Sequence, residues 1–359
     1  MKGANIQVSD NFIAVKFDKE VRCLSSAPFN GGLVKTRCLV NYKVPKDFKC
    51  ENVKDEILKI IKKHNFPENS VVFLTAAQVK KYVSKEFKGS NFELIVISTV
   101  GLSNARSVGE IPNIESPSTI NTFIIIDRML TDSALVNAIS TAAESKSFAM
   151  FSLDVRSITN KDIAVGTSTD AIAIASLGYG KGLDYAGTAT EIGSAISKLV
   201  FECIRQGAIN EIGNSLLRRL EDRGVDFKEI YKAAKNGVIG KVPANFKQRF
   251  KEKLLKYLED PNVCSLLIAS MRLEDEAKRG NLPNLSIEEY ENDSPRIILD
   301  EVLGEAIANY ISGTKGINNF RYYDMIKPGI ISKLPMFLDD ALCGLIGGIM
   351  ARIFEEENE

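Results

Sequence analysis

The hydrophobic pattern of the chain changes near residues 205–212, and this change limits the folds that are open to it. Before that point, short runs rich in β-branched residues alternate with helical stretches, as in α/β or α+β domains. After it, apolar residues recur at the spacing of amphipathic helices. We therefore expect an α/β (or α+β) domain over residues 1–206 and an all-α domain over residues 207–359. A chain of 359 residues also exceeds what one hydrophobic core usually serves.

The same pattern predicts the positions of individual elements. Strands are predicted at residues 12–17, 71–74, 92–100, 122–127 and 170–176. Helices of the second domain are predicted at residues 212–223, 245–258, 262–279, 295–311 and 337–355. The clearest helix of the first domain follows Thr188, which has the spacing of a capping box with Glu191, and Gly207 is predicted to end it.

Composition and charge exclude several classes of function. Forty-six Lys and Arg balance 46 Asp and Glu, so no global field favours nucleic acid or an anionic membrane. The single histidine, His64, excludes sites that need two imidazoles, and its position at the end of a predicted Lys-rich helix indicates a cationic helix cap. The six cysteines form no C-x-x-C pair, and no run approaches the roughly 18 apolar residues of a membrane span. We expect reduced thiols, a cytoplasmic location and no membrane span.

Two predicted helices of the second domain carry acids four residues before a glycine. Asp300 and Glu301 precede Gly304, and Asp339 and Asp340 precede Gly344. At this spacing each carboxylate shares a helix face with its glycine, and glycine allows another backbone to approach closely. If the two faces meet, the acids need a cation, and oxygen ligands without histidine favour Mg²⁺. The pattern therefore predicts a magnesium site for a phosphate substrate, with ligands Asp300, Glu301, Asp339 and Asp340.

The segment between these helices supplies cations near the acids. We expect a loop there that carries Arg321, Asp324 and Lys327, in which the two cations bind phosphate. An ordinary structural explanation exists for each acid. Asp339 and Asp340 begin a helix, where acids complement the helix dipole, and Asp300 with Glu301 is also typical of a solvated helix face.

In the first domain, small and hydroxyl-bearing residues cluster at the predicted strand ends. Such turns expose backbone amides that bind oxyanions, but Gly, Ser and Asn are also the usual turn residues. Amide hydrolysis would need a nucleophile or activated water, a base and oxyanion donors. Asp170 is the first candidate for a base or water-orienting group, and Glu191 is a second acid that is explained equally well as a capping residue. The hydroxyl candidates are Ser103, Thr167, Ser168 and Thr169, and the binding candidates are Asn30, Gly31 and Asn104.

Three motifs of the second domain resemble the phosphatidylglycerophosphatase A superfamily. They are Leu299-Asp300-Glu301-Val302-Leu303-Gly304, Phe320-Arg321-Tyr322-Tyr323-Asp324 with Lys327-Pro328-Gly329, and Phe337-Leu338-Asp339-Asp340-Ala341-Leu342-Cys343-Gly344. Residues 273–280 and 286–290 are most similar to the archaeal α-ribazole-5′-phosphate phosphatase branch. The resemblance implies an all-helical, Mg²⁺-dependent phosphatase of α-ribazole 5′-phosphate. Lipid phosphate is the alternative substrate.

The first domain resembles the adenosylcobinamide amidohydrolase family over residues 8–204. The resemblance lies in Leu24-Ser25-Ser26-Ala27, Asn30-Gly31-Gly32, Thr75-Ala76-Ala77, Ser103-Asn104 and Gly166-Thr167-Ser168-Thr169-Asp170. One departure is Gly109-Glu110, where the family often has glycine and aspartate. The resemblance implies cleavage of the amide between the corrin propionate arm and aminopropanol, and no cofactor is evident for this reaction.

Both resemblances concern cobamide assembly and salvage, so together they imply a bifunctional hydrolase. Its expected partners are two small molecules, adenosylcobinamide and α-ribazole 5′-phosphate. The alternative is that only the phosphatase is active and that the first domain binds a corrinoid without cleaving it. The sequence leaves the oligomeric state open, and a purely structural protein would leave the acidic helix faces unexplained.

Overall fold

The computed structural model describes residues 1–48, 52–111 and 118–357. It divides into two compact units, Met1–Asn214 and Ser215–Glu359, each with apolar clusters of its own. The first unit combines a β-sheet with helices and the second consists of helices, so both predicted fold classes are confirmed. The division lies later in the chain than the predicted division after residue 206.

The first unit contains one large sheet and a small two-stranded sheet. The strands are β1 (Ala4–Val8), β2 (Phe12–Ser25), β3 (Gly32–Lys43), β4 (Val71–Thr75), β5 (Val83–Lys88), β6 (Glu93–Val100), β7 (Ala105–Ser107), β8 (Ile120–Leu130), β9 (Ala164–Thr167) and β10 (Ala171–Leu183). The large sheet has the order β4-β3-β2-β10-β8-β6-β5, with β1 paired to β2, and β7 pairs with β9. Neighbouring strands are antiparallel except in the β3–β4 and β8–β10 pairs.

The large sheet folds over an internal apolar core. One face of β2, β3 and β4 and one face of β6, β8 and β10 share a cluster that includes Val15, Phe73, Ile97 and Phe123. On the outer faces, α1 (Val53–His64) packs against the β2–β4 half, while α2 (Asp132–Ser152) and α3 (Glu191–Ile212) pack against the β6–β10 half. The layers therefore follow the order helix, sheet, sheet, helices.

The predicted strands are all present, but two details of α3 differ from the prediction. Its N-cap is Thr190, which accepts a hydrogen bond from the Gly193 amide, so the predicted capping box of Thr188 and Glu191 is wrong. The predicted end at Gly207 is also wrong, because α3 continues to Ile212. A Cβ at Gly207 would lie 2.5 Å from the Val100 side chain, so this glycine serves packing of the helix on the sheet.

The second unit is built of helices around a large apolar cluster and a smaller one. These are α4 (Leu216–Glu221), α5 (Phe227–Asn236), α6 (Phe246–Leu258), α7 (Pro261–Lys278), α8 (Ile287–Glu291), α9 (Leu299–Ile326) and α10 (Met336–Glu357). α10 is buried along most of its length, and α9 kinks at Ser312 and Gly313. Because α9 continues past the kink, the predicted loop at Arg321 and Asp324 is helical. Among the described residues, no helix has both the length and the hydrophobicity to cross a bilayer.

Candidate active sites

An acidic cluster, made of Asp300, Asp324, Asp339 and Asp340, lies where α9 and α10 approach each other. A Cβ added at Gly304 would be 2.6 Å from the backbone oxygen of Asp340, and one added at Gly344 would be 2.2 Å from the backbone oxygen of Gly304. Only glycine permits this approach, which brings acids at the start of both helices together. The two glycine-bearing faces therefore meet, which is the condition that the sequence analysis set for a shared acidic site.

Three acids of the cluster are nearly inaccessible to solvent. Asp300 and Asp339 are 5% exposed and Asp340 is 4% exposed. The Oδ1 atoms of Asp300 and Asp340 have no hydrogen-bond partner among the described residues. Burial raises the pKa of all three carboxyl groups, that of Asp339 to about 6. The site is therefore unfavourable for several carboxylate charges unless a cation joins them.

Asp324 enters the cluster from the last turn of α9. One ligand atom from each of Asp324, Asp340 and Cys343 lies within 4.8 Å of the other two. Burial is the main cause of the raised pKa of Asp340, and the negative charges of Asp339 and Asp324 raise it further. The sequence pattern had not suggested Asp324 or Cys343 as metal ligands, although both belong to the motifs quoted above.

Lys327 supplies a positive charge at the edge of the acidic cluster. Its Nζ donates a hydrogen bond to Asp339 Oδ2 at 2.6 Å and lies 3.5 Å from Asp324 Oδ1. Burial alone would lower the pKa of Lys327, but the hydrogen bond to Asp339 raises it above its usual value. Lys327 therefore remains an ammonium group next to the carboxylates.

A cavity of about 410 Å³ opens beside Asp339 and Lys327. Its other lining residues include Lys278, Tyr290 and Asp293. The wall behind it is fixed by Glu274, which accepts hydrogen bonds from the Tyr290 hydroxyl and from the Phe337 amide at 3.2 Å. The cavity has the size of a small-molecule site, typically about 300–1,000 Å³.

Two residues of the predicted phosphatase site lie apart from the cluster. Glu301 is exposed to solvent, whereas the adjacent Asp300 is buried. Arg321 is largely exposed and forms an ion pair of 2.8 Å with Glu305. Successive helical residues point in different directions, so the two acids of the Asp300-Glu301 pair cannot both face the same partner helix.

In the first unit, Lys146, Thr167 and Asp170 form a second candidate site, here called the Thr167 site. The Asp170 carboxylate accepts hydrogen bonds from the Thr167 hydroxyl at 2.5 Å, from the Thr167 amide at 3.0 Å and from Lys146 Nζ. The Ile120 amide donates a fourth bond at 3.0 Å. A Cβ at Gly166 would be 2.3 Å from Asp170 Oδ2 and 2.5 Å from Lys146 Nζ, so a larger residue there would displace these two side chains. Asp170 thus holds a hydroxyl and an ammonium group side by side.

The Ser103-Asn104 motif lies beside the Thr167 site. The side-chain amide of buried Asn104 donates to Ser168 Oγ at 2.7 Å. Ser103 is exposed, and its backbone amide donates to Ser118 Oγ at 3.1 Å. The structure therefore brings together two pairs of first-domain candidates from distant parts of the sequence: Ser103 with Asn104, and Thr167 with Asp170.

Glu110, which replaces the aspartate expected from the family resemblance, anchors the loop that follows this motif. Burial would raise its pKa, but hydrogen bonds from Ser157, Thr159, Ser107 and Arg106 lower it to about 2. The Ser157 hydroxyl donates at 2.6 Å and Arg106 Nη1 at 2.6 Å. The Glu110 side chain, which is longer than that of aspartate, therefore accepts hydrogen bonds from several donors and remains ionised.

The Asn30-Gly31 turn has a structural explanation. Asn30 has a φ of 52°, and its side chain donates to the backbone oxygen of Ser70 at 2.9 Å. A Cβ at Gly31 would be 2.3 Å from the Ala27 oxygen. The nearby Ser26 is hydrogen-bonded to Ile172 in both directions, which holds this loop at the start of β10.

Glu191 lies away from the Thr167 site. Its carboxylate accepts hydrogen bonds from the amide and hydroxyl of Ser90, at 3.0 and 2.6 Å, and these bonds lower its pKa. It lines a separate cavity of about 500 Å³ together with Leu183, at the end of β10, whereas Asp170 directly precedes the start of that strand. Glu191 and Asp170 are thus at opposite ends of β10 and do not form one catalytic pair.

His64 ends α1, as predicted, but it is enclosed by rings. Its ring centroid lies 5.1 Å from that of Phe12, 5.5 Å from that of Tyr42 and 5.7 Å from that of Phe66. Burial lowers the pKa of His64. His64 therefore favours the neutral imidazole and does not supply the predicted positive charge at the end of α1.

Comparison with known proteins identifies both halves of the chain. Residues 1–215 match the family model described as adenosylcobinamide amidohydrolase. The chain belongs to this family. Residues 283–355 match the phosphatidylglycerophosphatase A family model, and this segment contains the whole acidic cluster. The protein therefore joins an amidohydrolase-family domain to a phosphatase-like domain, which confirms the family resemblances of its two halves.

Proteins of two archaea are among the relatives of this chain. The adenosylcobinamide amidohydrolase of Methanosarcina mazei is 24% identical over 211 residues, which cover 56% of this chain and 95% of that protein. An uncharacterized protein of Methanocaldococcus jannaschii is 50% identical over 113 residues, 30% of this chain and 86% of its own length. Among solved structures, the low temperature requirement C protein of Listeria monocytogenes matches with 23% identity and a TM-score of 0.36, over 39% of this chain and 92% of that one.

Proposed function

We propose that the chain is a bifunctional hydrolase of cobamide salvage. In this proposal the first domain hydrolyses the aminopropanol amide of adenosylcobinamide to adenosylcobyric acid. The second domain removes phosphate from α-ribazole 5′-phosphate. The family membership of residues 1–215 supports the first activity, and the buried acidic cluster beside a cavity lined by two lysines supports the second.

The acidic cluster has the ligands for a divalent cation. The buried Oδ1 atoms of Asp300 and Asp340 have no hydrogen-bond partner in the described part of the chain, so a cation could bind their lone pairs. Carboxylate oxygens of this kind are ligands that fit Mg²⁺. In the proposal, Asp300, Asp324 and Asp340 hold the ion, and Glu301 is not a ligand because it is exposed. Bound Mg²⁺ would supply positive charge that polarises the phosphoryl group.

Lys327 is proposed to bind the substrate phosphate. Its ammonium group has three N–H donors and lines the cavity next to Asp339. Lys278 lines the same cavity, so two cations border the space in which a phosphate monoester would lie. Arg321, which was the other predicted phosphate ligand, is proposed to act only through its ion pair with Glu305.

For the amidase, we assign the nucleophile to Thr167 and the base to Asp170. The Thr167 hydroxyl already donates to Asp170, which would take its proton as Oγ1 bonds to the amide carbon. Breakage of the carbon–nitrogen bond would return this proton to the departing amine. Water would then hydrolyse the Thr167 ester and release the free acid. Asn104, whose side-chain amide has two N–H donors, is the proposed oxyanion ligand.

The experiment that tests both halves uses the purified full chain with each substrate separately, with and without a chelator. We expect adenosylcobyric acid and aminopropanol from adenosylcobinamide, and inorganic phosphate from α-ribazole 5′-phosphate. The chelator should abolish phosphate release and leave amide cleavage unchanged. Phosphate release without cobyric acid would reject the amidase and favour a first domain that only binds corrinoids, while cobyric acid without phosphate release would reject the phosphatase.

A further inference from the structure

Cys343 lies at the centre of the acidic cluster, where its sulfur faces charged groups. It follows Asp340 by three residues on α10, so both side chains lie on one face of the helix. Its Sγ and one carboxylate oxygen each of Asp324 and Asp340 lie within 4.8 Å of one another. Asp324 comes from α9, so two helices contribute to this group of atoms.

The group has the properties of a binding site for a cation. Asp340 is 4% exposed, and its Oδ1 has no hydrogen-bond partner among the described residues. One carboxylate oxygen of Asp340 also lies within 4.8 Å of one of Asp324, and two carboxylate charges this close together are unfavourable without a cation. Lys327 makes its short ion pair with Asp339, and its ammonium group is 3.5 Å from Asp324.

A buried cysteine usually acts as a small apolar residue that fills space. Cys203, for example, is buried in the apolar cluster between α3 and the sheet of the first unit. Cys343 differs because two carboxylates border its sulfur atom. Sulfur is a poor ligand for Mg²⁺ but a good one for Zn²⁺ and Co²⁺.

We propose that Cys343 is a metal ligand that makes the site selective for transition-metal dications. Zn²⁺ or Co²⁺ would bind through Cys343 Sγ and carboxylate oxygens of Asp324 and Asp340, and the thiol proton would pass to solvent as the sulfur–metal bond forms. Mg²⁺ would use the carboxylates alone. This inference rests on the metal site of the proposed function and adds the identity of a ligand and a preference among ions.

The geometry requires only small movements. Two ligand atoms that each lie about 2.0–2.3 Å from one tetrahedral ion are roughly 3.5 Å from each other. In the structure, the ligand atoms of Asp324, Asp340 and Cys343 lie within 4.8 Å of one another. Rotation of the Asp324 and Asp340 side chains can bring the oxygens to the shorter distance. A water or substrate oxygen would complete four-coordination, as in other zinc sites with three protein ligands.

The test is the absorption spectrum of the full chain loaded with one equivalent of Co²⁺ under anaerobic conditions. We expect a sulfur-to-cobalt charge-transfer band in the near ultraviolet for the wild type and for the control Cys264→Ser, whose cysteine belongs to the same unit but not to this group. Cys343→Ser should lack the band and bind Co²⁺ at least about 10-fold more weakly, with unchanged affinity for Mg²⁺.

A wild-type spectrum without the band at full Co²⁺ occupancy would overturn the proposal, as would a band that persists in Cys343→Ser. If Cys343→Ser does not fold, X-ray absorption of the Zn²⁺-loaded wild type tests the proposal instead. We expect a zinc–sulfur distance of about 2.3 Å, and a coordination shell of oxygen atoms alone would refute the proposal. These measurements need no substrate. Failure of phosphate release with the band present would reject the proposed activity and leave the ligand assignment standing.

Discussion

Gly344 lies directly against the backbone of Gly304, so that a Cβ at Gly344 would be 2.2 Å from the Gly304 oxygen. This contact sets the distance between α9 and α10 and therefore the distances among the acids that the two helices carry. Asp300 precedes Gly304 by one helical turn, and Asp340 precedes Gly344 by one turn. The two glycines are thus a structural requirement of the acidic cluster.

Gly344→Ala is expected to separate α9 from α10. The added methyl group would overlap backbone atoms that cannot move as a flexible side chain can, at a cost of about 1–3 kcal/mol in the free energy of unfolding. Displacement of Asp340 should also reduce phosphate release by at least about 10-fold, because catalytic sites tolerate little misplacement. Urea denaturation and the phosphatase assay measure the two effects.

Gly187→Ala is the matched control, because a Cβ there would meet no atom within 4 Å. It should leave both stability and phosphate release near wild-type values. A Gly344→Ala protein that matches this control would show that close helix contact does not determine the site.

Asp340→Asn is expected to stabilise the metal-free second unit at high pH. The folded-state pKa values of Asp339 and Asp340 lie above the ordinary value of 3.8, so the folded protein binds protons that the unfolded chain does not. The stability of the metal-free wild type should therefore rise as the pH falls from about 9, the folded-state pKa of Asp340, toward 4. The asparagine variant needs no proton at this position and should be more stable than the wild type by at least about 2 kcal/mol at pH 8.

Hydrogen exchange of the α10 amides measures this difference locally. The advantage of Asp340→Asn should shrink at pH 5, because protonating the folded wild-type carboxyl costs less as the pH approaches the unfolded-state pKa of 3.8. The advantage should reverse when a divalent cation is added. An equal advantage at both pH values would contradict the assigned cause, since desolvation of a neutral group has no such pH dependence.

Lys146→Met is expected to reduce amide cleavage by about 100-fold or more. The substitution removes the ammonium group that donates to Asp170 and leaves that carboxylate without its charge partner. Phosphate release should be unchanged, since Lys146 belongs to the first unit. The measurement is the rate of adenosylcobinamide cleavage by Lys146→Met and by a control variant, Lys198→Met, which changes an exposed lysine. Equal rates in the two variants would show that Lys146 is not part of the site.

Lys327→Met is expected to weaken binding of the phosphate substrate. It removes a donor next to the cavity and leaves Asp339 without its ion pair, so KM should rise by about 10-fold or more. Steady-state kinetics with α-ribazole 5′-phosphate measure the change. Lys333→Met, which removes an exposed charge a few residues later, should behave as wild type. A similar KM in both variants would exclude Lys327 as a phosphate ligand.

The sequence predicted the site of the second unit better than that of the first for a physical reason. Acid and glycine at a spacing of four share a helix face, so Asp300 and Asp340 could be inferred from local periodicity. Asp324 could not be placed in this way, because the kink at Ser312 and Gly313 hides the continuation of α9 to Ile326. Glu301, the other predicted ligand of this helix, lies outside the cluster because adjacent helical residues face different directions.

In the first unit, the strand ends could be predicted but their convergence could not. Lys146 reaches Asp170 from α2, and a single lysine within a helix carries no local signal of that contact. β3 was missed because exposed Lys35 and Arg37 interrupt its apolar residues. The Thr188 cap was assigned two residues early, since Thr190 has the same side chain and also precedes the apolar face.

The central claim is that one chain carries two independent hydrolytic sites, and paired variants test it most directly. Rates of adenosylcobyric acid formation and of phosphate release should be measured on the same preparations of wild type, Asp170→Asn and Asp340→Asn. We predict that Asp170→Asn loses amide cleavage and retains phosphate release, while Asp340→Asn shows the opposite. Loss of both activities in either folded variant, or loss of neither, would contradict the account.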